Sequence, residues 1–317
     1  MRPTRILFLL VLAAALAGAA LTASAASNLP DGTERVLSGH GFLPSRFLGD
    51  PWVGTYFSSN LGAGAATGIS KEVRDLDGNL LTTVEGSVGY AALGLEFQQN
   101  LRDAFAVGLH VRGLGRTGTS ALSFISEGAD ADQELAVWGK WRALRTDKVQ
   151  FTAGLQWTYS KTFMFTPRDF AEYVADNGTL DGAPLVIDTK SWDTSLTWNL
   201  AWAMSEWFGV RLSGWSGLYE VPETAGVTKG QHRLGILGSL DLNQVKDIPL
   251  GFTAGYFFGL PDDVPQAAQK GFVFGTWYTG ETDFQIGVEL GMLTTEMVGL
   301  GTDVDGVFGL LTLRYWF

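Results

Sequence analysis

The chain has 317 residues, 33 acidic against 22 basic, and its charged fraction of 17% falls below the roughly 25% of ordinary soluble domains. It has no cysteine, which excludes a disulfide scaffold and thiolate metal sites, and its acidity argues against a nucleic-acid partner. Glycine is abundant at 41 residues, and aromatics include 11 Trp and 20 Phe.

Residues 1–25 read as a cleaved export signal. Arg2 and Arg5 make a basic start, an apolar stretch runs from Ile6 to Leu21, and Ala23-Ser24-Ala25 supplies the small-residue cleavage pattern. No later stretch has the unbroken apolar run that a membrane helix needs. Residues 26–51 hold Pro30, Pro44, Pro51 and His40, and are expected to form a periplasmic tail or a plug.

From residue 52 to 317 the chain alternates. In Ser191–Met204, Trp192, Leu196, Trp198, Leu200 and Trp202 share one face, while Asp193, Ser195, Thr197 and Asn199 share the other. Period two is the mark of a strand with one apolar and one polar face. The expected strands are 52–62, 81–98, 104–117, 133–145, 149–164, 190–204, 207–220, 230–242, 249–260, 270–280, 283–296 and 305–317. Most are longer than the five or six residues usual in soluble sheets. Aromatic residues sit near the ends of the apolar faces, as interfacial girdles do. The second strand changes face near Gly86–Ala92, where a bulge or misplaced ends are expected.

Short connections are expected at Gln99–Asp103, Thr146–Lys148, Ser205–Glu206, Asn243–Ile248 and Gly280–Thr282, and long ones at 63–80, 118–132, 165–189, 221–229, 261–269 and 297–304. Short turns on one side and long loops on the other fit an all-β, antiparallel, up-and-down transmembrane barrel of about 12 strands. In the third long connection, Thr166-Pro167-Arg168-Asp169 predicts a helix start. Phe170 and Tyr173 then share a face, and Asn177-Gly178 ends the helix.

The last strand, Gly309–Phe317, places Leu313, Tyr315 and the closing Phe317 on one face. It resembles the C-terminal signature strand of Gram-negative outer-membrane β-barrel proteins. The resemblance implies residence in the bacterial outer membrane, contact with its lipids, and reading of Leu313, Tyr315 and Phe317 by the barrel-assembly machinery. The helical loop resembles the third loop of general porins, which implies a constriction formed by Thr166, Asp169, Phe170 and Tyr173; a surface cap is the alternative. No motif in residues 26–51 matches the N-terminal hatch of fatty-acid-transporting barrels.

The less apolar face is taken as the lumen. It carries Arg112, Lys140, Arg142, Asp193, Arg211, Arg233, Asp241, Glu289 and Arg314, which would set selectivity or merely neutralise one another. Inward glycines, Gly209, Gly235 and Gly251 among them, would leave room for a solute or ease strand coiling. Trp138, Trp207, Trp215, Tyr219 and Phe257 are expected to point inward as well.

Little suggests an enzyme. The three histidines are His40, His110 and His232, with Phe42, Arg112 and Leu234 two positions later and Ser38, Gly108 and Gly230 two positions earlier. Neither the His-x-Ser pair of barrel lipid hydrolases nor the Asp-x-His pair of barrel proteases is present. Asp75-Leu-Asp77-Gly-Asn79 departs from a calcium loop in the position of its glycine, so no metal or cofactor is expected. The expected role is passive passage of a small solute. The alternatives are a non-conducting structural, adhesive or partner-binding barrel and, third, an enzyme acting on lipid.

Overall fold

The computed structural model describes residues 35–74, 80–179, 186–220, 228–261, 269–297 and 302–317. Two two-residue strands come first, β1 (Val36–Leu37) and β2 (His40–Gly41). They form a hairpin whose central residues Ser38 and Gly39 have φ of 46° and 86°, the backbone of a tight primed turn. Twelve long strands follow: β3 (Tyr56–Arg74), β4 (Leu80–Arg102), β5 (Phe105–Gly118), β6 (Ala129–Arg145), β7 (Val149–Phe165), β8 (Ile187–Ala203), β9 (Phe208–Glu220), β10 (Thr228–Asp241), β11 (Leu250–Pro261), β12 (Gln269–Tyr278), β13 (Phe284–Met297) and β14 (Thr302–Trp316). Each pairs antiparallel with its chain neighbours, and β14 closes on β3 through pairs such as Leu311 with Leu61. Short helices lie at Ala121–Glu127, Pro167–Asn177 and Asn243–Lys246.

The alternation has a direct physical result. Leu61, Leu93, Leu95, Leu196, Phe272, Leu290 and Met292 are exposed on the outer face, while Gln98, Gln150, Thr152, Ser239 and Glu289 are buried inside. Such a surface would be a liability in water and is the normal outer wall of a barrel in lipid. Trp192 and Trp202 face outward on one strand, both exposed. At about 3.3 Å per residue and a tilt near 40°, they stand roughly 25 Å apart along the barrel axis, the height of an apolar membrane band.

Several boundaries differ from the sequence expectation. The long connection expected at 63–80 is mostly strand, with β3 running to Arg74 and β4 starting at Leu80. Its residues Gly62–Thr67 are small and carry no apolar alternation to read. The irregularity expected near Gly86–Ala92 is a bulge on the facing strand. Between Ala66 and Ile69, β3 holds one residue more than β4, and Gly68 takes φ of 81° there. The connection expected at 297–304 shortens to 298–301, and the Asp75–Asn79 stretch lies outside the described residues.

The buried apolar core is not in the wall of the barrel. Leu37, Phe42 and Trp52 pack with Tyr56, Ala201, Ala203 and Trp316, and Leu48 packs with Leu237 and Val273. The core is therefore the contact between residues 35–55 and the inside of the strands. We call the end that holds this segment, the start of β3 and the end of β14 the near end, and the opposite one the far end.

Candidate functional site

Residues 35–55 cross the near half of the lumen and bond to strands all round it. Arg145 donates to the Val36 carbonyl at 3.3 Å, and His40 shares a hydrogen bond with Ser239 at 3.2 Å. The backbone N–H of Arg46 donates to Glu289 at 2.9 Å, and its guanidinium pairs with Glu96 at 2.9 Å and donates to His110. Asp50 pairs with Arg314, which also lies over the Tyr56 ring at 4.3 Å. Lys140 and Gln98 both donate to the Trp52 carbonyl at 3.1 Å. These partners come from β4, β5, β6, β10, β13 and β14, so the segment is a cross-brace.

Close approach requires small residues on the wall. A Cβ on Gly209 would meet the rings of His40 and Phe42 at 2.6 Å, and one on Gly251 would meet Leu43 at 2.5 Å. The room these glycines leave is occupied by the chain itself.

Two residues of the segment carry shifted ionisation. Burial, opposed by the Glu206 backbone and assisted by the Arg211 charge, pushes His40 down to about 4. For Asp50, burial favours the neutral acid, but Arg314, Lys140 and Arg211 together hold its carboxyl below the usual carboxylate value.

Beyond the segment the lumen opens into two chambers. One of about 630 Å³ has polar walls, including Gln156, Thr158, Ser191, Asp193, Asn199, Gln231 and Arg233, with Trp138, Trp215 and Tyr219 among them. The other, about 600 Å³, is mostly apolar, lined by Ile69, Val88, Leu114, Leu293, Val304 and Leu310, with the Arg116–Asp130 ion pair in its wall. Arg46, Phe47, Asn60, Arg112 and Phe257 border both. The Phe47 ring stands between them, stacked on Phe257 at 5.8 Å and 4.3 Å from Phe308.

The nine inward charges read from the sequence separate into groups. Arg112 lines both chambers and pairs with Glu134 at 2.7 Å. Asp193 and Arg233 line the polar chamber, and Gln231 donates to Asp193 at 2.8 Å. Lys140 and Arg314 also reach that chamber, but their bonds go to the N-terminal segment, as does that of Glu289. Asp241 is buried and accepts from the Asn243 backbone at 3.1 Å. Arg211 is buried, and its side-chain nitrogens have no hydrogen-bond partner among the described residues. Arg142 stands near the end of β6 and lines neither chamber.

Trp138, Trp215, Tyr219 and Phe257 line the polar chamber as expected. Trp207 does not. It lies in the turn before β9, which starts at Phe208, so strand parity does not hold its side chain inward and it is 46% exposed.

The predicted helix is present at Pro167–Asn177, with Thr166 as its N-cap residue and Gly178 in the left-handed conformation at its C-terminus. It touches the helix Ala121–Glu127 at the far end, and neither chamber is lined by Thr166, Phe170 or Tyr173. The side chain of Asp169 lies outside the described residues. At the other terminus, Leu313, Tyr315 and Phe317 face outward and are exposed, with the last two rings 4.9 Å apart edge to face.

The histidines are spread out. His40 and His110 are buried in contacts with the segment. His232 faces outward and shares a hydrogen bond with Ser216 of β9 at 2.9 Å. This Ser–His contact runs between strands, so no linear motif could reveal it.

No protein-family model and no curated protein matches the chain. Among solved structures it is similar to an outer-membrane channel from Pseudomonas putida F1, with 13% identity and a TM-score of 0.51 over 87% of this chain and 99% of that one. It is also similar to a FadL homologue of Pseudomonas aeruginosa, with 10% identity and a TM-score of 0.51 over 83% of this chain and 90% of that one. The fold is that of outer-membrane channel barrels. At such identities the likeness is one of architecture, and the chemistry must be argued from the lumen.

Proposed function

We propose that this is an outer-membrane barrel giving passive passage to a small solute, with a lumen that its own N-terminal segment closes at the near end. One observation carries the reading. Beyond the segment lie two adjoining chambers within the size range of small-molecule sites, bordered by shared residues. The fold shared with the P. putida channel supports the reading further.

The topology follows. Residues 1–25 are the cleaved export signal, residues 26–51 are the periplasmic N-terminal segment, of which 35–51 plug the barrel, and residues 52–317 form the barrel in the outer-membrane lipids. Leu313, Tyr315 and Phe317 present the strand that the assembly machinery reads. The helix at Pro167–Asn177, with Thr166, Asp169, Phe170 and Tyr173, narrows the outer mouth. Arg112, Asp193 and Arg233 set selectivity, while Lys140, Glu289 and Arg314 hold the plug.

The test is single-channel conductance and vesicle uptake of the refolded protein, with residues 35–54 present and deleted. Conductance that is low with the segment and rises on deletion supports the reading. No conductance or uptake in either form leaves the non-conducting barrel. Phospholipid turnover abolished by Ser216→Ala or His232→Ala would establish the enzyme instead.

A further inference from the structure

Among the described residues, one cation lining the polar chamber has no direct hydrogen bond or ion pair, although the carboxylates of Asp193 and Glu134 lie near enough for their charges to act on it. Arg46 pairs with Glu96, Arg112 with Glu134 and Arg314 with Asp50, while Lys140 is held by the Trp52 carbonyl and Gln98. Arg233 is exposed to the chamber and makes no hydrogen bond or ion pair among the described residues. A guanidinium that lines a cavity unpaired is a docking point for a planar anion such as a carboxylate.

The register of the sheet places its companions. Arg233 on β10 is paired directly with Trp215 on β9, and Trp215 is paired with Thr197 on β8. All three line the polar chamber. At about 4.8 Å between strands, one rung therefore presents a cation, an aromatic plane and a hydroxyl over roughly 10 Å. Asn199, one inward position along from Thr197, borders the same chamber, but its side-chain oxygen is buried against Gly49 of the N-terminal segment, so the hydroxyl partner on this rung is Thr197.

We propose that this rung is a binding site for a hydroxylated carboxylate of monosaccharide size. Its carboxylate sits on Arg233, its ring lies against Trp215, and a hydroxyl reaches Thr197. The apolar chamber beyond Phe47 is not needed for this ligand. The inference rests on the passage reading for its physiological meaning, but the site itself is an equilibrium property and can be measured without flux.

The experiment is ligand-observed saturation-transfer NMR on the folded full-length barrel in detergent, with glucuronate, glucose and benzoate as probes. Glucose lacks the carboxylate and benzoate lacks the hydroxyls. Glucuronate is expected to bind about tenfold or more tightly than either, the worth of one charge-assisted hydrogen bond. Arg233→Gln should bring glucuronate to the level of glucose, and Trp215→Leu should weaken both sugars alike. Both variants are first checked for the far-UV circular dichroism of the intact barrel, and Arg233→Lys should recover part of the preference. Equal binding of glucose and glucuronate overturns the proposal, as does glucuronate binding that Arg233→Gln leaves unchanged, or no glucuronate binding at roughly 100 mM. Binding of glucuronate without uptake into vesicles upholds the site and removes the passage reading.

Discussion

The two halves of the lumen are built from the same strands and both carry inward charges of both signs, yet those charges meet different partners. In the near half, Glu96, Lys140, Glu289 and Arg314 close on residues 35–55. In the far half, Arg112 pairs with Glu134, Arg116 with Asp130 and Asp132, and Asp193 accepts from Gln231, all wall to wall, while Arg233 faces the chamber. Alternation decides which side chains turn inward. It does not decide whether they meet the chain, water or a solute. An intramolecular occupant decides that, and it makes one half a joint and the other a container.

The most forceful way to break the contrast is to remove the occupant. Deletion of residues 35–54 should turn the near half into open lumen and raise single-channel conductance by about tenfold or more, since charged walls would then border water. Unchanged conductance would mean that the closure lies elsewhere, at the far mouth.

A gentler change loosens the joint. Asp50 and Arg314 have side chains only 9% and 7% exposed. Asp50→Asn leaves a buried cation without its carboxylate, which should weaken docking of the segment by about 3–5 kcal/mol. The chain has no cysteine, so a single Leu43→Cys reports docking through its labelling rate. That rate should rise steeply with Asp50→Asn, and replacing the pair together, Asp50→Leu with Arg314→Met, should restore much of the protection. Labelling that ignores Asp50 would show that the apolar contacts of Leu37, Phe42 and Trp52 hold the segment alone.

Acid should act in the same direction. Docked His40 titrates near 4 and an exposed histidine near 6.5. Between those values the undocked form binds the extra proton, so docking strengthens as pH rises and is lost as pH falls, by up to about 3 kcal/mol. The Arg211 charge and the Glu206 backbone act on the ring, and the side chains of Glu206 and Asp241 lie beside the neighbouring Gly39 and Gly41. The Asp50 contribution disappears only below the ordinary carboxylate range, so the two windows are separate. Leu43→Cys labelling from pH 7 to pH 4, normalised at each pH to the rate of free cysteine because the thiolate is the reactive form, checks this, and a normalised profile that stays flat from pH 6.5 downward would remove His40 from the joint.

These contrasts explain what the sequence could disclose. Strand identity was legible wherever large apolar residues alternate, as in Trp192–Trp202. It failed at Gly62–Thr67, where small residues leave no pattern. Arg233, Asp193 and Trp215 line the polar chamber, and the side a residue turns to is legible because parity is a property of one strand. The joint was not legible, because its pairs are remote: Arg314 and Asp50 are 264 positions apart. The hairpin and irregular turns of residues 35–55 have no period that reveals what they pack against. The row of Arg233, Trp215 and Thr197 needed the register between strands, which no single strand states.

The smallest change tests the boundary between the chambers. Phe47 belongs to the segment but projects between the polar and apolar spaces, against Phe257 and Phe308. Each aromatic contact is worth about 0.5–1.5 kcal/mol, and the ring is only partly buried, so Phe47→Ala should weaken docking by about 1–2 kcal/mol. Its effect on the lumen should be more specific. With the ring gone the chambers merge, while Arg46 still bridges to Glu96 and Glu289 at the near end. Conductance should therefore hardly change, whereas an apolar probe should gain access to the polar space, measured as stronger competition of benzoate against glucuronate. Competition that stays the same would mean the chambers already communicate freely past Phe47, and the division of the far half would then be one of wall chemistry alone.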